Sequence, residues 1–479
     1  MAFPTEGTRN PCVPMIRFSS LLSSYDSKKK VFRSAGSNYA NHIFDEGALV
    51  FSEPLYLDLL EIQLNQGEQR YDHLKVLSLE YCSKKIIKAA SLFNTGLSKS
   101  RESDLDSAKK CFCKALDQLN DFNTSCLEYI PPVTIYLLTS IAKLNLGHLE
   151  FQQLNFGKSC HFYHQSLDHL KSLRNDLDTG SIQSEMHEEA LFYSSYIMAA
   201  CLNCIGIAVL KKEITDQGEE YNLLIQAKAK ACLKYLQASI TLYEECSRYH
   251  NNLGDSLTFN ANMATAFNNL GRVYYIMDDF EQSLESYTVC LNLRLLSLPA
   301  NHLDISIAHF NMGQALQALR QEGDKEEVLD HYQTFLAIAV PILGYADVNV
   351  VKAVVVVTDI YTFLGRFVEA ESILQEYLSS SSITSYEALK SKVILLTTLS
   401  TVYASQQKLR DSLDTLLQAQ DLILNMPEDD FLVRFYIANS SNIAILTRNG
   451  NYEQANGRRI MLAQLCVDKN MYPLHAAAA

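Results

Sequence analysis

The sequence predicts an all-α chain, folded as a right-handed α-solenoid of about eight antiparallel helix pairs. Three observations carry that expectation. One order of bulky and small residues returns at near-constant spacing along the chain. Inside each copy the apolar residues recur at helical intervals rather than alternating. Prolines collect between the copies, where they interrupt no helix.

The clearest copy runs from Ala266 to Leu293, with Leu270-Gly271, Tyr274, Phe280, Ser283, Tyr287 and Cys290 at its fixed places. A step of 42 residues from Gly271 reaches Met312-Gly313 and Leu316. A further 45 reaches Thr358, followed by Gly365, Phe367, Ala370, Leu374 and Tyr377; the longer step matches a three-residue excess in "RQEGDKEE". Steps of 42 and 43 then reach Ser400, with Tyr403, Leu409, Ser412, Leu416 and Ala419, and Ile443, with Leu446, Gly450, Tyr452 and Ala455. Upstream, Leu146-Gly147 is followed by Phe156, Ser159, Tyr163 and Ser166. Ile205-Gly206 and Val209 precede a polar insertion, Glu213 to Tyr221, and then Ala231, Tyr235 and Ala238. A weaker first copy ends on Ala108, Phe112 and Ala115.

Each copy reads as two helices, A and B. The small residue of helix A lets helix B cross at close range, and Ser283, Ala370, Ser412 and Ala455 do the reciprocal job on helix B. A single pair cannot bury its apolar face, so pairs stack into one continuous core. Pro131, Pro132, Pro299, Pro341 and Pro427 are expected in the connections between pairs.

Composition narrows the function classes. With 48% hydrophobic and 20% charged residues and only ten prolines, the chain is of folded, soluble type. The sequence shows no uninterrupted apolar run of the ~18 residues expected of a membrane span. A net charge of −13 argues against a nucleic-acid surface. Residues 1–33 differ: Arg9, Arg17, Lys28, Lys29, Lys30 and Arg33 stand against Glu6 and Asp26, a basic tail rather than a transit peptide. The twelve cysteines are scattered through apolar helical patterns and read as free thiols in a reducing, cytoplasmic setting. The expected organisation is a basic, Ser-rich segment over 1–50, a capping helix region over 51–79, the solenoid over 80–466 and a tail over 467–479.

The order Leu-Gly, Tyr, small residue, aromatic, small residue resembles that of tetratricopeptide repeats. The ~42-residue spacing, against ~34 for the standard repeat, is similar to that of kinesin light chains. The resemblance covers 80–466 and implies a scaffold for protein interaction. It lacks the long heptad coiled coil that precedes kinesin-light-chain repeats, since residues 1–78 hold no sustained heptads.

In peptide-binding members of that superfamily helix A lines a concave groove, where Asn side chains hold a peptide backbone. The resemblance places Asn145, Asn269 and Asn311 two residues before the small reference position, with Asn268 one earlier and Arg272, Tyr275 and Gln314 beside them. These are the candidate groove residues. A carboxylate clamp from Arg272, Asn311 and Lys352 is the weaker alternative, because Asn268 and Val356 occupy places where further cations are wanted.

Other constellations point to no chemistry. His161, His164 and Asp168 share one helix face, but on the outer helix of a pair and without a second ligand cluster. Cys201 and Cys204 lie mid-helix, as packing residues do, and Cys111 and Cys113 have no partners in the sequence. No phosphate loop, nucleophile elbow, zinc-protease motif or kinase signature occurs, and Asp278-Asp279 reads as a solvated turn. No cofactor and no metal are expected. The expected function is a non-enzymatic scaffold or adaptor holding an extended peptide or helix. The alternative is a regulatory or accessory subunit acting through its convex surface or basic tail.

Overall fold

The computed structural model describes residues 104–120, 132–180, 187–211, 219–249, 256–319, 325–380 and 386–424, with scattered positions between 85 and 100. Segments 1–50, 51–79 and 467–479, and the copy around Ile443, lie outside the described residues. Every described element is an α-helix. In order they are α1 (Leu105–Asn120), α2 (Pro132–Gln152), α3 (Phe156–Asp178), α4 (His187–Lys211), α5 (Glu219–Tyr249), α6 (Ser256–Ile276), α7 (Phe280–Ser297) and α8 (Leu303–Leu319). These are followed by α9 (Lys325–Leu343), α10 (Val348–Phe363), α11 (Phe367–Ser380), α12 (Tyr386–Ser405) and α13 (Leu409–Leu424). The chain divides into two compact units, α1–α8 and α9–α13.

Within the first unit each helix packs on the next, and α2, α4, α6 and α8 also touch in series. Within the second, consecutive helices pack and α10 touches α12. This is the solenoid pattern: within each unit, helix A of one copy lies against the next helix A. The sequence explains the arrangement. α2 and α4 have no separate polar face and are buried almost throughout, as a helix walled in by neighbours must be. Over Ala190–Lys211, α4 is long and apolar enough to cross a bilayer, but most of that stretch is buried among its neighbours.

The glycines fix the crossing of A on B. A Cβ at Gly271 would lie 2.7 Å from Tyr287 Cε1 and 3.1 Å from the Ser283 carbonyl oxygen. At Gly206 it would lie 3.2 Å from Tyr235 Cβ, and at Gly96 2.9 Å from Phe112. At Gly147 it would overlap the Tyr163 ring outright. The reciprocal small residues Ser159, Ser283, Ala370 and Ser412 are fully buried. Where Ser400 replaces glycine, its hydroxyl and that of Ser412 lie 2.9 Å apart, so the close crossing becomes a hydrogen bond.

One turn joins A to B in four copies. The residue seven places after the small reference position is left-handed: Leu154 (φ 61°), Asp278 (φ 60°), Gly365 (φ 73°) and Gln407 (φ 61°). The next N–H reaches back five residues, from Asn155 to Glu150 (2.8 Å), Asp279 to Tyr274 (2.9 Å), Arg366 to Tyr361 (2.8 Å) and Lys408 to Tyr403 (2.9 Å). This bond-back satisfies a carbonyl that a helix end leaves open. Asp279 then caps α7 by accepting from Gln282 N–H at 3.3 Å.

Leucine is the most strained occupant of that left-handed place, and Leu154 is exposed, with nothing to gain from its side chain's burial. Its Cβ clash costs about 1–2 kcal/mol, part of which glycine returns as unfolded-chain entropy. Leu154→Gly is therefore expected to stabilise the first unit by about 0.5–1 kcal/mol in urea melts. A lower midpoint would show that Leu154 is held by contacts rather than strained.

Pro341 departs from the sequence expectation. It lies inside α9, in the last turn, rather than between pairs. There it is exposed and removes a single bond close to the helix end, which water can replace. Pro299 does fall between α7 and α8, and Pro132 is the first residue of α2.

Candidate functional site

The candidate residues lie on α2, α6 and α8, all in the first unit. The reference glycines Gly147, Gly206, Gly271 and Gly313 give α2, α4, α6 and α8 a common register. In that register the asparagines face the neighbouring inner helix instead of open solvent. Asn145 is 1% exposed, Asn268 and Asn269 0% and Asn311 2%. The candidate asparagines are thus closed to solvent in this structure, whereas the groove reading has them hold a peptide backbone.

Asn268, Asn269 and Asn311 are buried with an amide partner opposite. Asn269 Nδ2 donates to Asn203 Oδ1 at 2.9 Å, and Asn311 Nδ2 donates to Asn268 Oδ1 at 2.9 Å. Both bonds follow one rule: the amide two places before the small residue donates to the amide three places before it on the preceding inner helix. The ladder so formed ties α4 to α6 and α6 to α8. Asn262 adds a tie that sequence reading missed, donating to the Tyr196 hydroxyl at 2.5 Å. Its pattern, an asparagine on helix A far from the reference glycine, carries no signal of its own.

The ladder does not extend to α2, and one of its own acceptors is unmatched. Asn145 should donate to the place held by Phe93, which offers no acceptor, and neither its Nδ2 nor its Oδ1 has a hydrogen-bond partner. Asn269 Oδ1 is likewise without one. An unmatched amide in the interior costs about 1–3 kcal/mol, so these groups favour a polar partner.

The accessible members of the predicted set are Arg272, Tyr275 and Gln314, all half-buried. The Arg272 guanidinium sits over the Tyr275 ring, 5.2 Å from its centroid, and Tyr275 meets Phe280 edge-on at 5.3 Å. Arg272 and Gln314 occupy the same place, one after the reference glycine. Their equivalents in the earlier copies, His148 and Ile207, are buried. Half-open polar groups at this place thus begin at α6. Lys352, the third member of the clamp alternative, belongs to the second unit.

Elsewhere the polar groups are structural. His148 shares a 2.8 Å hydrogen bond with the Tyr163 hydroxyl, and burial holds its pKa down at about 3. Glu150, 1% exposed, is met by Lys109 and accepts from Asn155 Nδ2 at 3.0 Å. Arg294, also 1% exposed, donates from Nη1 to the Asp304 carbonyl at 2.6 Å. Cys201 and Cys204 are buried free thiols, and burial pushes the Cys201 pKa up to about 12, so it stays protonated. His161, His164 and Asp168 are exposed on α3, and no three His, Cys, Asp or Glu side chains among the described residues gather into a metal site.

Residues 264–295, spanning most of α6 and α7, match the family model of the tetratricopeptide repeat. No curated protein matches the sequence. Among solved structures, the kinesin-light-chain TPR-like repeats of Podosopora anserina align at 15% identity over 41% of this chain and 92% of that one, with a TM-score of 0.33. The apo form of RapI aligns at 10% identity over 69% and 98%, with a TM-score of 0.38. The Rap conjugation regulator of plasmid pLS20, solved with the Phr* peptide, aligns at 12% over 79% and 97%, with a TM-score of 0.34.

Proposed function

We propose that the chain, which matches the tetratricopeptide-repeat model over residues 264–295, is a non-enzymatic scaffold whose inner helices α6 and α8 hold an extended, acidic peptide. The observation that carries this reading is the pair Arg272 and Gln314, half-open at one register place where the earlier copies are closed. Arg272 is pre-oriented by its stack on Tyr275, which lowers the entropy lost when a carboxylate docks. Gln314 offers an amide that can both donate and accept, as a peptide unit requires. The half-buried Tyr275 supplies an apolar wall that keeps its shape.

The test needs a defined ligand. A random 12-residue peptide library displayed on phage is panned against the full chain, and the enriched peptide is synthesised and titrated by fluorescence anisotropy. Arg272→Glu is expected to weaken binding about tenfold or more, since a hydrogen bond to a charged group is worth about 1.5–3 kcal/mol. Raising the salt should shrink the difference, because part of it is screened Coulomb attraction. A peptide that binds wild type and Arg272→Glu equally would place the binding face elsewhere.

A further inference from the structure

The asparagine ladder has a consequence for how such a groove opens. Asn203, Asn268, Asn269 and Asn311 are all at least nine-tenths buried, and two donors that a peptide backbone would want are already engaged. A ligand cannot reach Asn311 Nδ2 without parting α6 from α8, and that parting breaks its bond to Asn268. The same holds for Asn269, Asn203 and the seam between α4 and α6. We propose that Asn268 and Asn203 are internal competitors of the ligand: they occupy the amides of Asn311 and Asn269 in the free protein and keep the inner seams shut. This autoinhibitory contact rests on the groove reading given above.

The geometry supports competition rather than a passive staple in two ways. The bonds are directional and follow one register rule at two successive seams, so each seam has one donor and one acceptor amide with separate roles. Asn269 Oδ1 has no partner although it is fully buried, so the closed state leaves an acceptor unmatched that an incoming peptide N–H would satisfy. A peptide unit carries one donor and one acceptor. It can therefore replace the internal acceptor and meet the open one.

The roles give opposite signs, and that separates this inference from the simpler one. If Asn311 serves the ligand while Asn268 withholds it, removing Asn268 lifts a bond the ligand must otherwise break. Asn268→Ala should then bind the phage-selected peptide about 2- to 12-fold more tightly, the equivalent of one neutral hydrogen bond. Asn311→Ala should weaken it by a similar factor. The titrations use the full chain, with circular dichroism melts confirming that each variant is folded. Should Asn268→Ala not fold, Asn268→Leu removes the acceptor while filling the volume.

The outcomes divide cleanly. Tighter binding by the Asn268 variant together with weaker binding by Asn311→Ala supports the competition. Weaker binding by both makes Asn268 a ligand contact and overturns it, with the groove intact. No change in either, while Arg272→Glu still weakens binding, overturns the competition alone. Indifference of the peptide to Arg272→Glu as well, or no enriched peptide, removes the groove and this inference with it.

Discussion

Lowering the pH from 6.5 toward 3 is expected to destabilise the first unit by several kcal/mol through one residue, His148. It is buried between α2 and α3, where desolvation depresses its pKa from 6.5 to about 3. The sign follows from linkage. In the unfolded chain His148 takes up a proton near pH 6.5, whereas in the folded chain it stays neutral until about pH 3. Its contribution is therefore fully present above the unfolded pKa and is lost as the pH falls toward the folded one. At about 1.4 kcal/mol per unit the upper limit is on the order of 5 kcal/mol. Carboxylates also titrate below pH 5, so the comparison that isolates His148 is with His148→Gln, which keeps a hydrogen-bonding group for Tyr163 and cannot titrate. Urea melts at pH 7, 5.5 and 4 should show a steeper decline for wild type. Parallel declines would mean that His148 is already solvated in the folded protein.

The second large effect comes from the residue beside it. Gly147→Ala adds one methyl group onto the Tyr163 ring. That ring is fully buried and its hydroxyl is tied to His148, so it has no free direction of retreat. Overpacking costs about 1–3 kcal/mol, against about 0.5–1 gained by replacing a helical glycine, so a net loss of about 1 is expected. The control is the same substitution ten residues on: a Cβ at Gly157 meets nothing within 4 Å. Gly157→Ala should thus be neutral or stabilising by up to about 1 kcal/mol. Equal midpoints for the two variants in denaturant would refute the close crossing of α2 on α3. Since both His148 and Gly147 act through Tyr163, their effects should not add.

The parts of the fold that were legible are those whose physics is local. Gly271 and Tyr287, like Gly147 and Tyr163, stand 16 residues apart because a close helix crossing needs one small and one large partner at matched heights. Asp278-Asp279 was recognisable as a turn because a left-handed residue followed by a capping carboxylate leaves a polar signature. Gly96, the small partner of Phe112, went unnoticed because the first copy lacks the Leu-Gly pair. Pro341 looked like a boundary because sequence alone does not separate the last turn of a helix from the loop after it.

The candidate site was legible in position and not in exposure. Helical spacing predicts helices at Asn268, Asn269 and Asn311, which lie on α6 and α8. Whether such a residue meets solvent depends on how near the next inner helix comes, a property of two segments some 40 residues apart. A buried amide favours a hydrogen-bonding group opposite it, and the partner of Asn311 is a second candidate, Asn268.

Among the described helices, the substantial contacts within each unit join helices one or two places apart along the chain. Contacts of such short range in sequence close small loops, which favours rapid folding from several starting points rather than one obligatory nucleus. They also confine damage. Protonating His148 or crowding Tyr163 weakens the α2–α3 crossing, while α6 and α7 keep every neighbour they had. Mild acid should then open the array at a seam instead of melting it throughout, leaving a segment that amide hydrogen exchange would detect first along α2 and α3.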